Sequence, residues 1–469
     1  MTDLRRNAKA AVLAVGLMLA MPAAASADSL VDALAAAYEN NPVLLAERAA
    51  VRAVDEEVAR ANSGYRPTVS GDASISRSSI DSVTKASILP PDGVPSDFNS
   101  TDERYTAEVQ QPIFRGLRTL NAVREAKASV MAARERLRAV EQTTLLDAVT
   151  AYADVVRDEA VLALNENQVE VLRRQLEASQ DRFRVGEITR TDVAQSEARL
   201  ALAVSNRIAA EAALTASREA YRRVIGKAPG TLQAMPELPP LPESLEAAQA
   251  IALENNPIVA GARFEEQAAD HAVDNAKGAL APSVSGFARI QRSIGTNLVS
   301  TDITGTRTTT VKSIGAQVSV PLYQAGAEYA GVRQAKQLRS QRMLQIAVAE
   351  RQVIESVRNA WEQLRTSRAS IESDKSSVRA NEIALDGVRQ EAAVGSRTTL
   401  DVLDAEQELL DSRVNLARSE RNEYVAAYAL LQAIGRAGAR DLNLPVSAYY
   451  DPTEHYRDVK WKLFGFGDE

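Results

Sequence analysis

The sequence predicts a mixed chain of long α-helices and membrane β-strands, built as two tandem repeats. Three observations carry that expectation. "LENNPIVAGARFEEQAADHAVDNAKGALAPSVSG" from Leu253 repeats "YENNPVLLAERAAVRAVDEEVARANSGYRPTVSG" from Tyr38 in register. Between Gly116 and Val185 there is neither proline nor glycine, so nothing interrupts a helix. Short segments such as "TVSGDASIS" and "RYTAEVQQ" alternate strictly between apolar and polar residues, the period of a strand with two unlike faces.

Taken in chain order, Arg5, Arg6 and Lys9 precede an apolar run from Ala10 to Met21 and the small residues Ala25 and Ala27. Residues 1–27 therefore read as a secretory signal peptide. The run is shorter than the ~20 apolar residues that a spanning helix needs. The first repeat, 28–230, should hold a short helix ending at Asn-Asn-Pro, a second helix, and strands at about 65–80 and 103–112. A helical hairpin with its turn at 186–191 completes it. Its first helix, about 70 residues at 1.5 Å each, would be a rod of roughly 100 Å. Val123, Ala126, Val130, Ala133 and Leu137, then Val169, Leu172, Leu176 and Phe183, mark a seam that wants a partner helix. After a proline-rich linker at 231–244, the second repeat, 245–440, follows the same order, with strands at about 282–292 and 311–321 and a turn at 395–399. An aromatic tail at 441–469, suited to packing around the waist of the helical part, ends the chain.

Composition excludes several functions. The chain has no cysteine, which removes thiol catalysis, thiolate metal sites and lipidation at a cysteine. A net charge of −7 argues against nucleic acid. His271 and His455 stand in unrelated contexts without metal-ligand spacing, so neither metal nor cofactor is expected. No nucleophile with a base and no paired acids in a cleft point to an enzyme.

The strands decide the compartment. The helices turn their apolar stripes on each other, which leaves the apolar face of the strands without a partner layer. Lipid would cover it, although a soluble sandwich also alternates. Four strands cannot close a barrel alone; three chains would supply twelve. The polar segments between paired strands, "IDSVTKASILPPDGVPSDFNSTDE" and "IGTNLVSTDITGTRTTT", suit extracellular loops.

The doubled unit resembles the TolC family of outer-membrane efflux and secretion ducts over essentially the whole mature chain. "VGSRTTLDVLDAEQELLDSRVNLARSERNEYVAAYALLQAIG" is similar to that family's second helical turn and "RVGEITRTDVAQSEARLALAVSN" to its first. The resemblance implies a homotrimer, with a twelve-stranded barrel in the outer membrane continued by a long α-helical barrel across the periplasm. It implies an exit duct for a tripartite efflux pump or a type I secretion system. A periplasmic adaptor would dock at the turns of Gly186 and Gly395, and the inner-membrane transporter would be of the ABC or the proton-driven kind. Asp401 and Asp404 match the family's aspartate rings at the periplasmic entrance. Arg397 matches the arginine that latches the entrance, and Thr191 and Asp192 match its partners. Where enteric members place a tyrosine, this chain has Ala392, so the latch is expected to be thinner. Two readings stay open for the aspartates, since an acid in a helix's first turn is also an ordinary cap. The alternative for the whole chain is a non-conducting periplasmic coiled-coil scaffold anchored at the outer membrane.

Overall fold

The structure, a computed structural model, describes residues 28–84, 94–300 and 303–466. The expected signal peptide and residues 85–93 and 301–302 of the expected loops lie outside the described residues. The two repeats take the same element order. The first contains α1 (Leu30–Asn40), α2 (Pro42–Asn62), β1 (Thr68–Thr84), β2 (Val94–Arg115), α3 (Arg118–Arg184) and α4 (Arg190–Ile225). The second contains α5 (Leu245–Asn255), α6 (Pro257–Gly278), β3 (Ser283–Ser300), β4 (Ile303–Ser319), α7 (Ala327–Ala393) and α8 (Thr399–Ala433); a short α9 (Glu454–Val459) follows. The rods α3 and α7 each have 67 residues.

The four strands form one antiparallel sheet in the order β1-β2-β3-β4. Its register separates the faces. Val69, Val109, Ala288 and Ile314 sit side by side across all four strands, and so, on the opposite face, do Ser70, Glu108, Arg289 and Ser313. Among the described residues nothing covers the apolar face: Ile314 is 88% exposed and Val69 75%. On the polar face Arg289 Nε donates to Glu108 Oε2 at 2.9 Å. The strands run further than alternation alone marked, β2 beginning at Val94 and β3 reaching Ser300. The added stretches are rich in serine and threonine, so they carry no two-faced pattern, yet the ladder continues through them and Ser78 and Ser100 share a hydroxyl hydrogen bond of 2.9 Å. Among the described residues the outer edges of β1 and β4 have no strand partner.

The helices lie in two tiers. Nearest the sheet the row is α2, α3, α6, α7, and at the far end it is α4, α3, α8, α7. Each rod thus runs through both tiers, while each of its neighbours is two short helices set end to end. The second asparagine of each Asn-Asn-Pro makes the joint. Asn41 Oδ1 accepts from Val43 N at 2.9 Å, capping α2, while its Nδ2 donates to the carbonyl of Val224 near the end of α4 at 2.7 Å. Asn256 does the same, capping Ile258 N at 2.9 Å and donating to Ala433 O at 2.8 Å. Proline then occupies the first helical position, where a missing N–H costs nothing.

The main core surrounds these joints. Tyr152 and Tyr221 are fully buried there with Leu34, Val149 and Val357. Tyr152 Oη donates to Gln233 O at 2.7 Å, tying the linker to the rod. Most of the anticipated seam is buried, including Val130, Leu137, Val169 and Leu172. Phe183 is the exception: it is exposed, because the hairpin has by then reached its tip and no further helix flanks it.

Gly435, at the second joint, tests this packing. Its φ is +78°, and a Cβ there would lie 2.6 Å from Asn255 O. Gly395 has a similar φ of +80° with nothing within 4 Å. Gly395→Ala should cost about 1–2 kcal/mol from backbone strain alone, and Gly435→Ala about 3 kcal/mol or more because the clash adds to it. Thermal melts followed by helical circular dichroism should rank the two variants in that order.

Candidate functional site

The two hairpin tips are built alike. Each long helix ends on a glycine in the left-handed region, Gly186 at φ +82° and Gly395 at φ +80°. The next amide reaches back across the last turn, Glu187 N to Arg182 O at 2.9 Å and Ser396 N to Glu391 O at 3.0 Å. Three residues after each glycine a threonine starts the returning helix. Thr189 and Thr398 accept from the amides of Asp192 and Asp401 at 3.3 Å, and those carboxylates accept from the threonine amides at 2.8 Å. These are reciprocal capping boxes. The hydrogen bonds from Thr398, backbone first and then hydroxyl, hold the Asp401 carboxyl below its ordinary pKa; those from Thr189, hydroxyl first and then backbone, do so for Asp192.

Asp401 is thus a cap, but Asp404 is not. One turn further along α8, Asp404 forms an ion pair with Arg199 of α4, joining the second hairpin to the first. Beside this pair Leu403 is buried against Val169, Leu172 and Ala203. Arg397 Nε donates to Glu391 Oε2 at 2.8 Å within its own turn, and that bond raises its pKa. Within one protomer Arg397 is not brought to Asp192 or Thr191, and Thr191 is exposed. Ala392 is half-buried before the second turn.

Sequence reasoning missed Arg199 and Glu391. Glu391 carried no signal beyond being an acid near a base. Arg199 carried one: its counterpart in the second repeat is Glu408, and the counterpart of Asp404 is Gln195. The repeats therefore carry complementary charges where their tips meet. A buried hydrogen bond holds the first hairpin together, Ser179 to Ser196 at 3.2 Å. Among the described residues no group of three His, Cys, Asp or Glu could hold a metal ion.

Residues 33–227 and 250–436 each match the outer membrane efflux protein family. The chain is 38% identical over 460 residues to the outer membrane efflux protein BepC of Brucella suis, spanning 97% of this chain and 95% of that one. It is 27% identical over 334 residues to the alkaline protease secretion protein AprF of Pseudomonas aeruginosa, spanning 70% and 68%. In fold it is similar to the outer membrane channel CmeC of Campylobacter jejuni, with a TM-score of 0.73 over 92% of this chain and 89% of that one at 16% identity.

The capping boxes can be separated from the ion pair. Thr398→Ala removes the cap and should destabilise the start of α8 by about 1 kcal/mol, leaving the Asp404 to Arg199 contact in place. Hydrogen exchange should quicken by roughly fivefold at the first amides of α8 and stay unchanged at the joints. Equal acceleration along the whole helix would show that the cap does not act locally.

Proposed function

The chain belongs to the outer membrane efflux protein family, and from that premise we propose that three copies form the outer-membrane exit duct of an efflux or secretion system. The sheet carries this reading. Its bare apolar face needs lipid, and its two open edges need partners, since lipid offers no hydrogen bonds. In an antiparallel order β4 runs opposite to β1, so β4 of one copy can extend the ladder onto β1 of the next. Three copies close as twelve strands with no edge left. The polar face, with Glu108, Arg289 and Ser313, then lines a wet lumen, and the helical tiers prolong it away from the membrane.

At the far end the tips would gather around the axis. Asp401 and Asp404 become two stacked rings of carboxylates that favour cations, and Arg199 tempers the inner of the two charges. Arg397, exposed on its turn, is available to Asp192 and Thr191 of a neighbouring copy by exchange of its Glu391 bond. Outside the rings Val185 is 72% exposed and Val394 81%, two apolar knobs beside Gly186 and Gly395. They suit the helical tips of a periplasmic adaptor that couples the duct to an inner-membrane transporter, ABC or proton-driven. Family members are channels rather than enzymes. Relatives named for efflux and for alkaline protease secretion support a duct of either an efflux or a protein secretion system.

Single-channel recording in planar bilayers tests the duct and its aperture together. The purified trimer should conduct, with a cation preference that falls severalfold in Asp401→Ala with Asp404→Ala. Arg199→Ala should raise the preference, because it unmasks the Asp404 charge. A double aspartate variant with unchanged reversal potential would reduce both acids to folding elements.

The pH dependence has a definite sign. A depressed carboxyl keeps its charge and its cap at all pH values above the usual range and loses both as pH falls through its lowered pKa. The part of the cation preference due to Asp401 should therefore persist further into the acid range than an ordinary aspartate would allow. Reversal potentials measured across a pH series, in wild type and in Asp404→Ala, would show it.

A further inference from the structure

The segment after α8 does not stop at the waist. Leu444 is buried in the main core, and Ser447 Oγ and its amide both donate to Glu39 Oε1 at the end of α1. From there the segment climbs beside α2 in the same direction. The Arg48 guanidinium lies 4.4 Å from the Tyr38 ring and 5.0 Å from the Tyr450 ring. Tyr456 packs against the cluster of Val58, Ala126 and Val130, with Arg134 5.4 Å from its ring. Asn62 Nδ2 donates to Lys460 O at 2.9 Å, and Arg66 donates to Lys462 O at 3.0 Å and Trp461 O at 3.2 Å.

Arg66 stands two residues before β1, so the climb delivers "KWKLFGF" to the lower rim of the barrel. The backbone is held there, but the large side chains are not. Trp461 is 66% exposed and Phe464 89%, and Leu463 and Phe466 are exposed as well. The same rim carries exposed Tyr65, Phe114, Leu322 and Tyr323 at the strand ends. Aromatic residues interleaved with lysines are the chemistry of a membrane interface, where rings settle at headgroup level and cations meet lipid phosphates. At this rim Phe114, paired with Val284, continues the apolar face of the sheet.

We infer that residues 461–466 are an interfacial anchor that dips into the periplasmic leaflet of the outer membrane and binds its phospholipid headgroups, strapped by Asn62 at the end of α2 and by Arg66 just before β1. This rests on the barrel lying in that membrane. The chain has two tryptophans, so Trp361→Phe leaves Trp461 as the only one. That variant, as a trimer in vesicles of phosphatidylethanolamine and phosphatidylglycerol, should lose roughly half its emission when the lipids are brominated near the headgroup. Iodide in the water should quench it little. As a control, Val109→Trp on the lipid face of the barrel, with both native tryptophans changed to Phe, should also be quenched by brominated lipid. Since the chain lacks cysteine, Phe464→Cys labelled with bimane gives a second reading in otherwise native protein. Quenching by iodide but not by brominated lipid would overturn the anchor in favour of a free segment. Protection from both would overturn it in favour of burial against a second copy. If the Val109→Trp control also escaped brominated lipid, the barrel reading and the anchor would fall together.

Discussion

Everything in the helical part depends on one asparagine amide per repeat. A wall of helices in which one member is an unbroken rod needs neighbours of equal length, yet the chain must leave the wall to form strands and later return to it. The neighbour therefore has to be assembled from two pieces remote in sequence. A helix end is poor material for such a splice, since one piece presents unpaired carbonyls and the other unpaired amides. Asn41 and Asn256 satisfy both with a single side chain, the oxygen taking amides from the helix it starts and the nitrogen serving a carbonyl of the helix that ends there. The adjoining proline removes an amide that would otherwise need a partner, and Gly435 lets the spent chain turn away without striking Asn255. The largest core forms where these splices occur, because only there do pieces of nearly every helix converge.

Much of this was open to sequence reasoning, for a physical reason. Proline and glycine state where helices cannot continue, and their absence over the span of α3 states where one must. The doubled Asn-Asn-Pro could be seen as a boundary, but its splicing role could not, because Val224 lies 183 residues from Asn41 and no local pattern links them. The partnership of Asp404 with Arg199 was hidden in the same way, across 205 residues, although a comparison of the two repeats exposes the charge exchange. The strand limits were missed because serine and threonine are indifferent to which face they occupy. The path of the tail beyond the waist was missed because it depends on Asn62 and Arg66, whose bonds go to backbone carbonyls and so leave no trace in side-chain type.

The caps also bear on how the tips keep their charge. An acid that serves as a helix cap is held ionised by the bonds it makes, so folding and charge are the same property of Asp401. If the proposed aspartate ring acts at the aperture, it would gain from that coupling. Asp404 is arranged differently, since it pairs with Arg199 of α4, and that pair requires α4 and α8 to lie side by side.

The shared architecture of the repeats has a consequence for symmetry. Two hairpins per chain, each with a 67-residue rod, would make the proposed ring of three chains look six-fold along most of its length. Backbone geometry at the tips preserves that likeness, with matched glycines and matched capping boxes. Side chains break it, because Gln195 faces the role of Asp404 and Glu408 that of Arg199. The proposed ring would thus be six-fold in shape and three-fold in chemistry, and a rearrangement driven by charge would move alternate hairpins, in the manner of a three-bladed iris set in a six-sided frame.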